Sequence, residues 1–331
     1  MEHIVNIVNI VNIVNIVNIV KLYNLGKQLH NCERWMNYRR VIVFVIRSLI
    51  HHKEVQILCN FFHSSSLRRN IITTHPTFFV QLTRHIFYKG STISERLAII
   101  MQSSVVLENK FTEQALQEIY LGPGIRLWSQ FYKEQPLSID LVFRGSEFKE
   151  GSMTLGLKLN NKYIYHINFW IVLDERNNSS LYIGTLQGSL NGLSINKELT
   201  KYFWGCRPQN LIVYALRILA ERLSCDAIYA VSNYGFYTNN HWGQDRKLKT
   251  SLDHFWTEIG GNLSQDRRFF ILPPTEQRKN IEEVASHKRN LYRKRFATLD
   301  VVNANITNKL DIFMKNNPNI EASPEMLSLL N

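Results

Sequence analysis

The sequence predicts an α/β protein: a helical N-terminal part followed by a mixed sheet that contains a βαβ-type unit. Three observations carry this. Apolar residues recur at helical spacing from Lys21 to about Gln117, strand-like segments follow the breaker Leu121-Gly-Pro-Gly124, and a strand–helix–strand order comes after them.

The chain has 331 residues, 45% hydrophobic and 11% aromatic. That suits one large or two ordinary globular domains and is too apolar for a disordered chain. Lys and Arg outnumber Asp and Glu by 39 to 27, a net charge of +12 with a pI of about 9.5. Such an excess favours acidic partners (nucleic acid, an anionic membrane face, phosphate-bearing small molecules) and selects none of them. Cys32, Cys59, Cys206 and Cys225 share no CxxC spacing. This argues against a zinc site and against a disulfide framework, and no metal is expected.

Ile4 to Asn18 are five copies of Ile-Val-Asn. A period of three matches neither helix nor strand; on a helix the Asn positions drift by about 60° per repeat. With no basic leader, an Asn at every third place and no A-x-A-like site, the tract reads as neither a secretory signal nor a transmembrane span. VIVFVI at Val41 to Ile46 is too short to cross a bilayer, so no transmembrane segment and a cytoplasmic location are expected.

Breaks are expected at His75-Pro76 and at Lys89-Gly90-Ser91, and Ser91 to Arg96 has the composition of a helix start. Leu137 to Phe143, Met153 to Leu159, Tyr163 to Leu173 and Leu181 to Leu186 read as strands of an antiparallel meander, divided by turn clusters. Pro208 to Leu223 is an amphipathic helix with Pro in its first turn, and Ala227 to Val231 is a strand ending on Ser232-Asn233. The strand–crossover–helix–strand order implies a parallel pair. A short helix over Leu252 to Ile259, a stop at Gly260-Gly261 and the FFIL strand at Phe269 to Leu272 complete the sheet. A basic amphipathic helix is expected from Ile281 to Ile306. The resulting organisation is a low-complexity tract over 1–20, a mainly helical region over 21–120, a mixed α/β domain over 121–306 and a tail over 307–331.

Several of these segments, in this order, resemble the VirK/YbjX family of Gram-negative bacterial proteins: FKEGSMTLGL (Phe148 to Leu157), SLYIGTLQG (Ser180 to Gly188), the Cys206-Arg207-Pro208 helix start, AVSN (Ala230 to Asn233), DHFWTEIGG (Asp253 to Gly261) and SHKRNLYRKR (Ser286 to Arg295). The likeness runs from about Thr77 to Ile306 and leaves the Ile-Val-Asn tract outside. It implies a setting of virulence, the cell envelope and resistance to antimicrobial peptides, but no particular reaction. The order of elements also resembles the GNAT-like fold of acyl-CoA-dependent acyltransferases, which implies a donor phosphate held at a helix N-terminus after a strand end. One departure stands out: an insertion holding LTKYFWG (Leu199 to Gly205) separates that strand from the helix.

Two function classes therefore stay open. In the first, an acyltransferase, Gln187, Gly188 and Arg207 bind the donor (acyl-CoA or acyl carrier protein), because backbone N–H groups and a guanidinium attract phosphate. Asn233 orients a carbonyl or amine, and His241, beside Asp245 and Arg246, acts as general base. The plainer account makes Asn233 a turn residue and His241 a surface histidine. In the second class the protein is a non-catalytic binding or assembly factor. Lys288, Arg289, Tyr292 and Arg293 of the basic helix then meet an anionic lipid or envelope component, peripherally at the inner membrane; otherwise they form a solvated helix face. No G-x-S-x-G, H-E-x-x-H or Walker A sequence is present, and no nucleic-acid-binding signature accompanies the charge, so sequence-specific nucleic acid is not expected.

Overall fold

The structure, a computed structural model, describes residues 19–30, 35–145, 149–190, 192–240 and 251–315. The chain divides into two units, one up to Arg84 and one from His85.

The first unit is helical, as the sequence predicts: α1 (19–29), α2 (Trp35–Ile50), α3 (His52–His63), α4 (Ser66–Thr74) and α5 (Thr77–Thr83). Val41, Phe44 and Val45 of α2 are buried with Leu22, Leu25, Leu29 and Phe79 packed against them. α1 can approach α2 closely because Gly26 has no side chain; a Cβ there would lie 2.8 Å from Val41 Cγ1. Ser65 caps α4 by accepting from the Arg68 N–H at 3.2 Å, and the break at His75-Pro76 separates α4 from α5.

In the second unit, α6 (Ile93–Lys110) starts at a reciprocal capping box. Thr92 Oγ1 accepts from Glu95 N at 3.2 Å, and Glu95 Oε2 accepts from Thr92 N at 2.6 Å. α7 (Glu113–Tyr120) follows, capped by Thr112. After Gly124, at φ 92°, the chain enters an antiparallel meander: β1 (Ile125–Tyr132), β2 (Gln135–Val142), β3 (Met153–Leu159), β4 (Lys162–Leu173) and β5 (Ser179–Gly188). Helices α8 (Leu193–Tyr202) and α9 (Pro208–Arg222) cross over to β6 (Cys225–Val231), which lies parallel to β5. Next come α10 (Leu252–Glu258), β7 (Asn262–Leu263), β8 (Phe269–Leu272) and α11 (Ser286–Phe313), and the sheet order is β1-β2-β3-β4-β5-β6-β8-β7.

The predicted meander, parallel pair and FFIL strand are present, and several elements differ from expectation, the two-residue strand β7 among them. β1 is additional. A bulge between Arg126 and Trp128 interrupts its period-two pattern, which is why the strand is hard to read from sequence. The insertion that separates β5 from α9 holds a helix not predicted from the sequence, α8, which buries Leu199 and little else. The last helix begins at Ser286, after a 3₁₀ turn at Ile281–Glu283, and its buried stripe is Leu299, Val302, Ile306 and Leu310. The basic residues 288–295 therefore lie on the part of α11 that precedes the stripe.

Strand register assigns the sheet two unlike faces. Ile139, Leu157 and Tyr165 stand in one row, and Leu141, Leu155, Ile167 and Leu186 in the next. This apolar face packs on α9, whose residues Leu211 to Ala220 are buried on every side. The opposite face carries an aromatic row, Trp170, Tyr182 and Tyr229, with stacked ring centroids 5.6 and 4.7 Å apart.

Candidate functional site

The parallel pair comes apart at one place. β5 and β6 are in register from Ser179 and Cys225 to Ile183 and Ala230; beyond that, Gly184 to Gly188 of β5 pair with β4 alone. A bulge accompanies the separation: Asn168 faces Thr185 while Phe169 faces Ile183, leaving Gly184 as the extra residue. Only glycine fits there. A Cβ at Gly184 would lie 1.7 Å from the Glu150 carbonyl oxygen, so the segment leading into β3 presses on the bulge.

Gln187 and Gly188 end β5 opposite His166 and Tyr165 of β4, and both are exposed. The Tyr165 ring lies across Gly188, where a Cβ would sit 3.0 Å from it. Its hydroxyl donates to Gln209 Oε1 at 3.1 Å and accepts from Asn196 Nδ2 at 3.4 Å. Burial raises the pKa of this phenol, while the nearby Arg207 charge and the Asn196 hydrogen bond draw it down.

Arg207 is the N-cap of α9, with Pro208 in the first turn, and its carbonyl accepts from the N–H groups of Asn210 and Leu211 at 2.9 and 3.0 Å. Arg207 Nε donates to Asn210 Oδ1 at 3.1 Å, and its half-exposed guanidinium pairs with Glu258 of α10. The strand end and Arg207, nineteen residues apart from Gly188 in sequence (207 − 188), thus meet the same tyrosine's surroundings.

The turn between α8 and α9 is held from α11. Trp204 and Gly205 take positive φ, 52° and 84°. Arg295 Nε donates to the Trp204 carbonyl at 2.9 Å, and a Cβ at Gly205 would lie 2.4 Å from the Arg295 guanidinium. Lys294 stands 4.4 Å from the Trp204 ring centroid. Cys206, buried behind this turn, has its thiol pushed up to about 12 by burial and by the Glu276 carboxylate.

The four residues expected to meet an anionic partner fare differently along α11. Lys288 and Arg293 are exposed. Arg289 donates to the carbonyls of Val284 and Glu282, both at 2.9 Å, and so anchors the preceding turn. Tyr292 lies under the Arg295 guanidinium, 4.5 Å from centroid to carbon, with Phe296 against its edge.

Asn233 is engaged at every polar group. Its side-chain oxygen accepts from Leu252 N at 2.9 Å, and its amide donates to Ser251 Oγ at 2.9 Å. Its N–H donates to Asp253 at 2.6 Å and its carbonyl accepts from Asn239 at 2.8 Å. The residue ties the end of β6 to the start of α10. His241, Asp245 and Arg246 lie outside the described residues.

The sheet face away from α9 holds a set of polar residues of which the sequence points only to Gln187. Arg126, Asp140, Gly156, His166 and Gln187 stand in one continuous row across five strands, and Thr154, Asn168 and Thr185 in the next. Asp140, Thr154, His166, Asn168 and Thr185 are all buried. Asp140 pairs with Arg126 and Lys158, each at 3.0 Å. Asn168 accepts from Thr154 Oγ1 at 2.8 Å and donates to Glu150 Oε2 at 3.5 Å, beside the Gly184 bulge. The signal was in the sequence as polar residues alternating with Leu and Ile, a pattern that also describes an ordinary solvated face. Their burial is what marks them, since buried polar groups must be satisfied in the protein or by a ligand.

A family described as "Protein of unknown function (DUF535)" matches residues 33–308. The chain is similar to an uncharacterised protein, YbjX, of Escherichia coli K12, 27% identical over 266 residues, covering 78% of this chain and 80% of the relative. An uncharacterised Haemophilus influenzae protein is 27% identical over 219 residues, covering 64% and 70%. A second one from that organism is 24% identical over 280 residues, covering 81% and 88%. No solved structure matches the chain.

Proposed function

From the premise that the chain belongs to the DUF535 family, which is the VirK/YbjX family, we propose that it is an acyl-donor-dependent transferase acting on a component of the bacterial envelope. The observation that carries this is the parting of β5 from β6 at the Gly184 bulge, beside a helix that starts at Arg207. A strand edge released from its neighbour offers backbone N–H and C=O groups to an extended amide-bearing chain, such as the pantetheine arm shared by acyl-CoA and acyl carrier protein. The donor's phosphate then lies at the N-terminus of α9 with Arg207, where the macrodipole and guanidinium favour an anion, and it displaces Glu258. The sheet combines a meander with one parallel pair bridged by α8 and α9, an order that supports reading the GNAT resemblance as donor binding.

On the far side of the bulge the Glu150–Asn168–Thr154 chain supplies a carboxylate to take a proton from an acceptor amine or hydroxyl as the acyl bond forms and the donor thiol leaves. Cys206 is not an acyl carrier in this scheme, because a thiol with its pKa near 12 stays protonated at neutral pH.

Direct binding of acetyl-CoA, long-chain acyl-CoA and acyl carrier protein, measured by calorimetry at two salt concentrations, tests the proposal. Saturable, salt-tolerant binding that Arg207→Ala abolishes is expected. Absence of binding, or binding that vanishes with salt, overturns it. That outcome leaves the second reading, a binding or assembly factor acting through α11, which the exposure of Lys288 and Arg293 favours. Reversing Lys288, Arg289 and Arg293 to Glu is then the damaging change.

A further inference from the structure

Helix α2 is apolar on two sides. Val41, Phe44 and Val45 face the core of the first unit, yet Ile42, Ile46, Leu49 and Ile50 on another side are 55%, 51%, 40% and 68% exposed. Spacings of three and four residues place these four on one continuous face. The face extends onto α1: Ile19, Val20 and Tyr23 line a shallow groove with Ile42, Val45 and Ile46. Large contiguous apolar surfaces of this kind mark interaction sites.

The charges around the face indicate what covers it. Arg39 precedes Ile42 by three residues, Arg47 precedes Ile50 by three, and exposed Lys21, Arg40 and Lys53 lie on the same helices or the next. Glu54 is the one carboxylate among the described residues of this unit. A two-fold contact with a second copy would bring these cations against their own counterparts, which is unfavourable. An anionic lipid surface reverses that sign: apolar side chains enter the acyl boundary while Lys and Arg remain among the headgroup phosphates. Among the described residues no helix is long and apolar enough to cross a membrane, and α2 has 16 residues with three arginines.

We propose that the exposed faces of α1 and α2 form an interfacial docking surface for anionic lipid bilayers. The surface belongs to the first unit, whereas the donor site and α11 belong to the second, and it does not depend on the transferase proposal. The full chain should co-sediment with vesicles of phosphatidylcholine plus phosphatidylglycerol and not with phosphatidylcholine alone. The double variant Ile42→Ser/Ile46→Ser and the charge variant Arg39→Glu/Arg40→Glu should each weaken vesicle binding by roughly tenfold or more. All four side chains are exposed, so the thermal transition should stay in place. Lys288→Glu/Arg293→Glu should leave binding within about twofold. Equal binding to both vesicle types, or loss confined to the α11 variant, overturns the proposal. So does loss of binding on deleting residues 2–18 alone. A chain that is dimeric by light scattering, becomes monomeric in Ile42→Ser/Ile46→Ser and ignores vesicles makes this face a self-contact and likewise overturns it.

Discussion

Gly188 and Tyr165 are register partners at the end of the β4–β5 pair, and the missing side chain of the first is the space in which the ring of the second lies. That ring in turn links the strand end to α8 and α9 through Asn196 and Gln209. The polar strand end is therefore a joint between sheet and crossover helices, and it stands beside the glycine that makes the bulge.

The two glycines should differ in their tolerance. Gly184→Ala meets a backbone carbonyl that cannot rotate away, whereas Gly188→Ala meets a ring that yields by a few tenths of an ångström. We expect a loss of about 2–3 kcal/mol or more for Gly184→Ala and about 1 kcal/mol for Gly188→Ala, read from urea unfolding midpoints. A Gly188→Ala chain less stable than Gly184→Ala would contradict this packing.

Glu258 competes with the donor for Arg207. Glu258→Gln should raise the affinity for acyl-CoA several-fold while Arg207→Ala abolishes binding. Because the pair is half-exposed, neither change should move stability by more than about 1 kcal/mol. Weaker donor binding in Glu258→Gln would assign the carboxylate a positioning role instead.

Cys206 should behave as an inert thiol. Burial and the Glu276 carboxylate push its thiol up to about 12, so native Cys206 should label slowly near neutrality and rapidly once the protein is unfolded. Cys225, pushed up to about 11 chiefly by burial, should also resist labelling until the protein unfolds. Cys206→Ser should retain donor binding. Rapid labelling of native Cys206 near neutrality, detected by mass spectrometry, would contradict its burial.

Asn233→Ala separates two roles. The substitution removes the acceptor for Leu252 N and the donor to Ser251, so we expect a stability loss of about 1–2 kcal/mol through the start of α10. Substrate turnover, once an acceptor is found, should then fall only as far as folding does. A stable variant without turnover would restore the residue to the chemistry.

The sequence alone determined the helical first part, the meander and the β5–α9–β6 order, because each depends on local periodicity and on Gly or Pro punctuation. It also located Gln187 and Gly188 at a strand end and Arg207 at a helix start, since both are legible where they stand in the chain. Tertiary structure decided the rest. Tyr165 gives no local hint that it joins that strand end to α8 and α9, because its partners lie 31 and 44 residues away. Arg295 reaches back 91 residues to hold the Trp204 turn. The alternating polar residues of β2 to β5 have the same pattern whether they face water or a closed interior, and only the packing of the chain over that face makes them a buried polar wall. Ile42 and Ile46 present the converse case. Their apolar character predicts a core, and the fold leaves them outside because Val41, Phe44 and Val45 already occupy the side of α2 that the unit can cover.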